Sequence, residues 1–331
     1  MNANMPIDFV VSWVDGSDPA WQAKKEKYTA VKAPEGNTEA RYRDWETLKY
    51  WFRGVEKFAP WVRYVWFVTD DQKPEWLNTD NPKLKWVKHT DFIPPEYLPT
   101  FSSHPIEWNL HRIEDLAEQF VYFNDDMFLI RETDPEDFFV NGLPCDLPNV
   151  GLLYPSGFFN YIVFNNIQLM NRHFSLRESI RSNWKKWIFH QRPTELLKLI
   201  WYARRDLIPG INEYHIHIPY RKETFQTLWE QEGQLIHETC THKSRTRDDI
   251  SHWCVREWRV MTGDFHPQKP SGKSFSTNAV DINGALDYMR KQKGDVICLN
   301  DNEMETDYDK HKQMILEAFE VLLPEKSSFE I

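Results

Sequence analysis

Gln119-Phe120-Val121-Tyr122-Phe123-Asn124-Asp125-Asp126-Met127 is an apolar run that ends abruptly in an amide and two adjacent carboxylates. Burying an unpaired carboxylate is costly, so a core strand can end this way only where the acids meet solvent or a cation. The stretch therefore reads as a strand that opens on a polar site. In parallel α/β folds ligands gather beyond the carboxyl ends of the strands, which makes Asp125 and Asp126 candidate ligands for a divalent metal beside phosphate. Asn-Asp-Asp is also good turn chemistry, and the stretch alone does not choose between the two.

The same theme recurs outward along the chain. Ile7 to Val14 reads as a first strand released into Asp15-Gly16-Ser17-Asp18-Pro19, a loop suited to the base, ribose or phosphates of a nucleotide. Val62 to Val68 has the apolar density of a parallel strand and exits at Thr69-Asp70-Asp71-Gln72. Leu84 to Val87 leads to His89-Thr90-Asp91, and Asp295 to Leu299 runs into Asn300-Asp301-Asn302. Between strands the apolar period changes to three and four. Trp45, Leu48, Trp51, Phe52, Val55 and Phe58 mark a helix from Asp44 to near Pro60, and a second helix is expected through Ile106, Leu110, Ile113 and Leu116. Arg41, Arg43 and Arg53 flank the first, either to grip a diphosphate bidentately or to pair on the surface.

This alternation predicts an α/β fold, a mostly parallel Rossmann-like or glycosyltransferase-like sheet flanked by helices. Residues 1–155 are expected to form the first part of the core, 156–210 a helical insertion or lobe, and 211–331 the second part, which completes one composite site. Phe138 to Asn160, with three glycines and three prolines, is expected to be mainly loop, and His266 to Thr277 an open connection. Tyr308 to Leu323 fits a closing amphipathic helix. The lobe carries Arg177, Arg181, Lys185, Lys186, Arg204 and Arg205. These either attract an anionic polymer or lipid surface or form a solvated face.

Histidines supply further candidates. Glu107 and His111 lie four apart on the expected second helix, as a metal pair, an acid/base couple or an ordinary polar pair. His215-Ile216-His217-Ile218-Pro219-Tyr220 alternates like a strand, which would point His215 and His217 to one side as metal ligands or phosphate-directed acid/base groups. His237, His242, Arg245 and Arg247 follow in a polar connection.

Composition sets limits. A net charge of −10 argues against a broad nucleic-acid surface. The four cysteines include no Cys-x-x-Cys pair, which suits a reducing compartment. No Gly-x-Gly-x-x-Gly fingerprint points to a dinucleotide, and no apolar run approaches a bilayer span. The 15 Trp, 13 Tyr and 21 Phe suit a dense core or stacking on bases and sugar rings. The expectation is a cytoplasmic protein without a transmembrane segment, with association at the inner face of a bacterial membrane left open.

Four blocks of this sequence resemble the Stealth family of capsular or exopolysaccharide phosphotransferases, which is itself similar to the catalytic region of the lysosomal-enzyme N-acetylglucosamine-1-phosphotransferase. They are Ile7 to Pro19; Arg41-Tyr42-Arg43-Asp44 through Val68-Thr69-Asp70-Asp71-Gln72 and Leu98-Pro99-Thr100-Phe101-Ser102-Ser103 to Phe123-Asn124-Asp125-Asp126; His217-Ile218-Pro219-Tyr220 through Arg245; and Cys298-Leu299-Asn300-Asp301. The resemblance implies transfer of a sugar-1-phosphate from a nucleotide-sugar, expected to be a UDP-sugar, to a glycan hydroxyl, with magnesium, or manganese in its place. On that footing Asp125, Asp301 and Asp126 are expected to hold the metal, Arg43 and Arg245 the phosphate oxygens, and Asp15, Gly16, Ser17 and Asp18 the nucleotide. His217 is the favoured general base, with His104 and His111 as alternatives. The competing readings are a metal-dependent glycosyltransferase and a noncatalytic carbohydrate-binding protein.

Overall fold

The computed structural model describes residues 5–28, 42–154, 157–188, 191–301 and 307–331, so Arg41 and Asn302 lie outside the described residues. The first half of the chain forms β1 (Ile7–Ser12), α1 (Pro19–Tyr28), α2 (Leu48–Phe58), β2 (Val65–Thr69), β3 (Leu84–Lys88), α3 (His89–Phe92), α4 (Ser103–Asn109), β4 (Gln119–Asn124) and β5 (Met127–Leu129). A short hairpin follows, β6 (Phe139–Val140) and β7 (Leu143–Asp146), then helices α5 (Phe158–His173), α6 (Leu176–Ser182), α7 (Trp184–Ile188) and α8 (Pro193–Arg205). The remainder forms β8 (Ile218–Arg221), α9 (Lys222–Thr241), α10 (Trp253–Thr262), β9 (His266–Pro267), β10 (Gly272–Ser276), α11 (Ile282–Arg290), β11 (Val296–Asn300) and α12 (Tyr308–Leu322).

The central sheet has the order β3-β2-β1-β4-β8, with the first four strands parallel and β8 antiparallel at the edge. Its strands are apolar on both sides, and the alternation of side chains builds two cores. Phe9, Val11, Val65, Phe67, Val121 and Phe123 fall in one cluster with residues of α2, α11 and α12. Val10, Trp66, Val68, Phe120 and Tyr122 fall in the other, with residues of α5, α9 and α10. Asp8 is the charge buried in β1. Arg63 donates to both its oxygens (2.8 and 2.6 Å), Trp66 Nε1 to Oδ2 (2.8 Å) and the Ala117 amide to Oδ2 (2.9 Å), which ties β1 to the approaches of β2 and β4.

A second, three-stranded sheet, β10-β11-β5, positions the site. Immediately after Asp126 the chain turns into β5, which pairs antiparallel with β11, and the Leu299 amide donates to the Asp126 carbonyl at 2.8 Å. The polar ends of β4 and β11 are thereby joined. The third sheet has the order β6-β7-β9.

Several local expectations are corrected. The helix expected to reach Leu116 stops at Asn109 and continues only as a 3-10 turn over Leu110–Arg112. The segment read as loop holds the β6–β7 hairpin, because Asn141 and Gly142 both take positive φ (52° and 81°), as a two-residue hairpin turn requires. The expected open connection after His266 holds β10, parallel to β11. Gly272 permits that pairing, since a Cβ there would meet the Val296 carbonyl oxygen at 2.8 Å. Among the described residues no helix is long and apolar enough to cross a membrane.

Candidate active site

The chain leaves β1 toward β2 on one side, while β4 pairs with β1 on the other, so a crevice opens at the carboxyl ends of β1 and β4 where the strand order reverses. A cleft of about 910 Å³ lies there, floored by Ser12, Trp13 and Val14 after β1 and by Asn124, Asp125 and Asp126 after β4. Arg43, Asp44 and Trp45, which precede α2, line it together with Asn300 and Asp301 after β11. The start of α4, with Ser103, His104 and Glu107, and the α9–α10 connection, with Arg245 and His252, complete the walls.

Asp125 and Asp126 are adjacent but face different partners. Burial, then the neighbouring Asp126 charge and that of Asp44, pushes the Asp125 carboxyl up to about 7. The Asp126 carboxyl is also raised by burial, opposed by His215 and by a hydrogen bond from Cys298. The ligating atoms of Asp126, His215 and Cys298 lie within 4.8 Å of one another, the one three-donor grouping among the described residues. The three carboxylates expected to share a metal, Asp125, Asp126 and Asp301, do not form such a grouping. Asp301 Oδ2 accepts from Trp45 Nε1 at 3.2 Å, and its Oδ1 lies 3.7 Å from Arg43 Nη1.

Arg43 Nη1 is buried without a hydrogen-bond partner among the described residues, its contact with Asp301 being an ion pair at 3.7 Å. Arg245 Nη2 donates to Ser103 Oγ at 2.6 Å, which holds its guanidinium against the start of α4. Next to Ser103 in the chain stands a histidine oriented by a carboxylate. His104 Nδ1 lies 3.2 Å from Asp249 Oδ2, both residues are buried, and His104 lines the cleft. Against the effect of burial, hydrogen bonds from His104 and His242 hold the Asp249 carboxyl well below the usual range. That leaves an ionised acceptor beside His104 Nδ1, which orients the ring.

Other expected site residues stand elsewhere. His215 and His217 do not share a strand face, because His215 has φ +50° and β8 begins only at Ile218. His215 lines the cleft, whereas His217 is buried between Phe123 (5.6 Å, stacked) and Phe138 (5.0 Å), and burial lowers its imidazole to about 3. His111 stacks on Phe225 at 5.8 Å, away from the cleft, and burial followed by the charges of Arg112 and Lys222 lowers it to about 3. Glu107 faces the cleft alone of that pair, with His252 Nε2 3.7 Å from its Oε1.

Asp15, Gly16, Ser17 and Asp18 do not line the cleft either. Asp15 Oδ1 accepts from the Ser17 amide (2.9 Å) and hydroxyl (2.6 Å), and Gln72 bonds both the Asp15 backbone and Asp18 Oδ2. The loop is closed on itself. Gly16 is required by packing, since a Cβ there would meet Tyr42 at 2.5 Å.

Sequence reasoning missed His252, whose Nδ1 is 2.9 Å from the Tyr220 hydroxyl, and Asp249, since neither stands in a motif of its own. It also took Trp45 for a helix residue. Trp45 precedes α2 and turns its indole to Asp301, and with Trp13, Tyr42, Phe159 and Trp253 it gives the cleft flat aromatic walls.

Known proteins resemble this chain along nearly its whole length. Residues 5–30 match the family model described as Stealth protein CR1, conserved region 1, and residues 41–145 match Stealth protein CR2, conserved region 2. The chain is 40% identical over 329 residues to the capsular polysaccharide phosphotransferase WcwK of Streptococcus pneumoniae, covering 98% of each chain. It is 39% identical over 335 residues to the receptor polysaccharide phosphotransferase WefC of Streptococcus oralis, covering 98% of this chain and 99% of the relative. The exopolysaccharide phosphotransferase cps2G of Lactiplantibacillus plantarum is 35% identical over 333 residues, with 98% and 96% covered. Since the similarity runs through both conserved regions and on to the strand ends that build the cleft, the chain belongs to the Stealth family of phosphotransferases.

Proposed function

We propose that this enzyme transfers a sugar-1-phosphate from a nucleotide-sugar, a UDP-sugar, to a hydroxyl of a capsular or cell-surface glycan, forming a phosphodiester and releasing the nucleoside monophosphate. The observation that carries the reading is a single cleft lined both by half-buried carboxylates at the ends of β4 and β11 and by Arg43 and Arg245. That is the charge arrangement a diphosphate and a divalent ion would complete.

The residues fit such an ion. A carboxyl raised to about 7 by burial and a neighbouring acid is a group short of positive charge. Asp125 and Asp301 offer the oxygen ligands magnesium prefers, and one or two protein carboxylates suffice when substrate phosphates supply the rest. Asp126 lies instead with His215 and Cys298, whose ligating atoms are within 4.8 Å of its own. When bound, the ion would neutralise the diphosphate and polarise the reacting phosphorus.

Arg43 and Arg245 hold nonbridging phosphate oxygens, and the aromatic walls receive base and sugar. The acceptor hydroxyl oxygen attacks the sugar-bearing phosphorus. The new phosphorus–oxygen bond forms as the bond to the bridging oxygen breaks, and the nucleoside monophosphate leaves with that electron pair. The hydroxyl proton passes to His104, with Asp249 stabilising the imidazolium; His104 is favoured over His217 and His111 because of the three it alone lines the cleft. The anomeric carbon keeps its configuration because its bond to oxygen survives.

Phosphorus resonance and mass spectrometry of a nucleotide-sugar panel with candidate glycans, with and without magnesium, test this. A phosphodiester and a nucleoside monophosphate are expected. Release of the nucleoside diphosphate would mean glycosyl transfer and would sink the reading.

A further inference from the structure

The outer face of α8 has no role in the cleft and is built against the usual rule for a surface helix. Leu197, Ile200 and Trp201 recur at helical spacing and are 69%, 53% and 49% exposed, while Leu199 and Tyr202 on the opposite side are buried in the core. The helix therefore has two apolar faces, only one of which the protein covers. Nearby in sequence, Trp184 and Ile188 of α7 are also exposed (54% and 45%). Single exposed apolar residues are ordinary, but a concentration of this kind in one lobe marks an interaction surface.

Charge identifies the occupant. Residues 172–206 carry nine Lys and Arg against three Asp and Glu, in a chain whose net charge is −10. On α8, Arg204 falls one helical turn beyond the Ile200–Trp201 pair on the same face, and Lys198 and Arg205 flank it; the Arg205 guanidinium lies 3.7 Å over the Trp201 ring. Aliphatic side chains and tryptophan centred among long cationic side chains suit the boundary of an anionic bilayer, where the apolar groups enter the acyl region and the cations reach lipid phosphates. A second copy of the chain fits poorly, because a two-fold contact would set this cationic patch against itself.

We propose that the outer face of α8 seats the enzyme on an anionic lipid surface, with Leu197, Ile200 and Trp201 as its apolar anchors and Arg204 and Arg205 as its phosphate-facing cations. The test is flotation of the full chain with vesicles of phosphatidylcholine containing phosphatidylglycerol, beside vesicles of phosphatidylcholine alone. Binding to the anionic vesicles that weakens with salt is expected, and the L197S/I200S/W201S variant is expected to lose at least about tenfold in bound fraction. These side chains are exposed, so the variant should keep its melting temperature and its turnover of soluble substrates, which separates loss of docking from loss of catalysis. Absent binding, equal binding to neutral vesicles, or an unaffected variant would overturn the proposal. So would self-association of the lipid-free protein that the variant abolishes.

Discussion

Asp70-Asp71 at the end of β2 and Asp125-Asp126 at the end of β4 are the same dipeptide in equivalent places, on the two strands that flank β1. Their surroundings differ completely. Lys24 Nζ contacts both Asp70 oxygens (2.9 and 2.7 Å), and Lys88 Nζ lies 2.6 Å from Asp71. No described lysine or arginine forms an ion pair with Asp125 or Asp126, and both carboxyls are raised. An acidic strand end is thus not itself the mark of a site. What separates the two is pairing, since lysines neutralise the acids after β2 and no described lysine or arginine pairs with those after β4.

Exchange of one residue in each pair breaks or upholds this contrast most directly. Asp125→Asn should lower turnover by about 10^3, the scale of losing a group that stabilises transition-state charge, whereas Asp70→Asn should leave it within about threefold. Steady-state rates on folded variants decide it, and comparable losses at both positions would end the distinction. His104→Gln is expected to cost about 10^2 in kcat and to flatten the acid limb of the kcat/KM profile, as removal of a general base does. If the limb persists unchanged, His104 only supports the α9–α10 connection. The smallest effect is on stability. Because the folded Asp125 carboxyl sits near 7, its protonated form is favoured in the native state. Its contribution is complete below about pH 4 and is lost as pH rises through about 7. Urea midpoints of the metal-free protein should therefore match those of Asp125→Asn near pH 4 and fall below them at pH 8. Superimposable curves would mean that Asp125 is already compensated.

Much of the framework was legible because it follows from periodicity. Strands that alternate sides and stay apolar have to be covered twice, which gave the layered sheet, and the Phe120–Asp126 run led correctly to the cleft floor. What the sequence concealed depends on long-range placement. Whether an aspartate is free depends on where Lys24 and Lys88 land, and neither is near its partner in a recognisable motif. His215 and His217 read as a strand pair, yet one positive φ sends His215 to the cleft and leaves His217 among aromatic rings. Asp15 and Ser17 had the composition of a ligand loop because the residues that bind phosphate are also those that satisfy their own turn. One signal was available and unread, the Asn141-Gly142 pair that turns β6 into β7.

The pairing of β5 with β11 also sets a schedule. The ribosome completes β1 through β4 in the first half of synthesis, yet the partner of β5 emerges more than half a chain length later. A growing polypeptide can present the parallel strands early but has no Asn300 or Asp301 with which to line the cleft. The cleft is therefore the last part of the framework to be walled in, because its lining includes residues that follow β11.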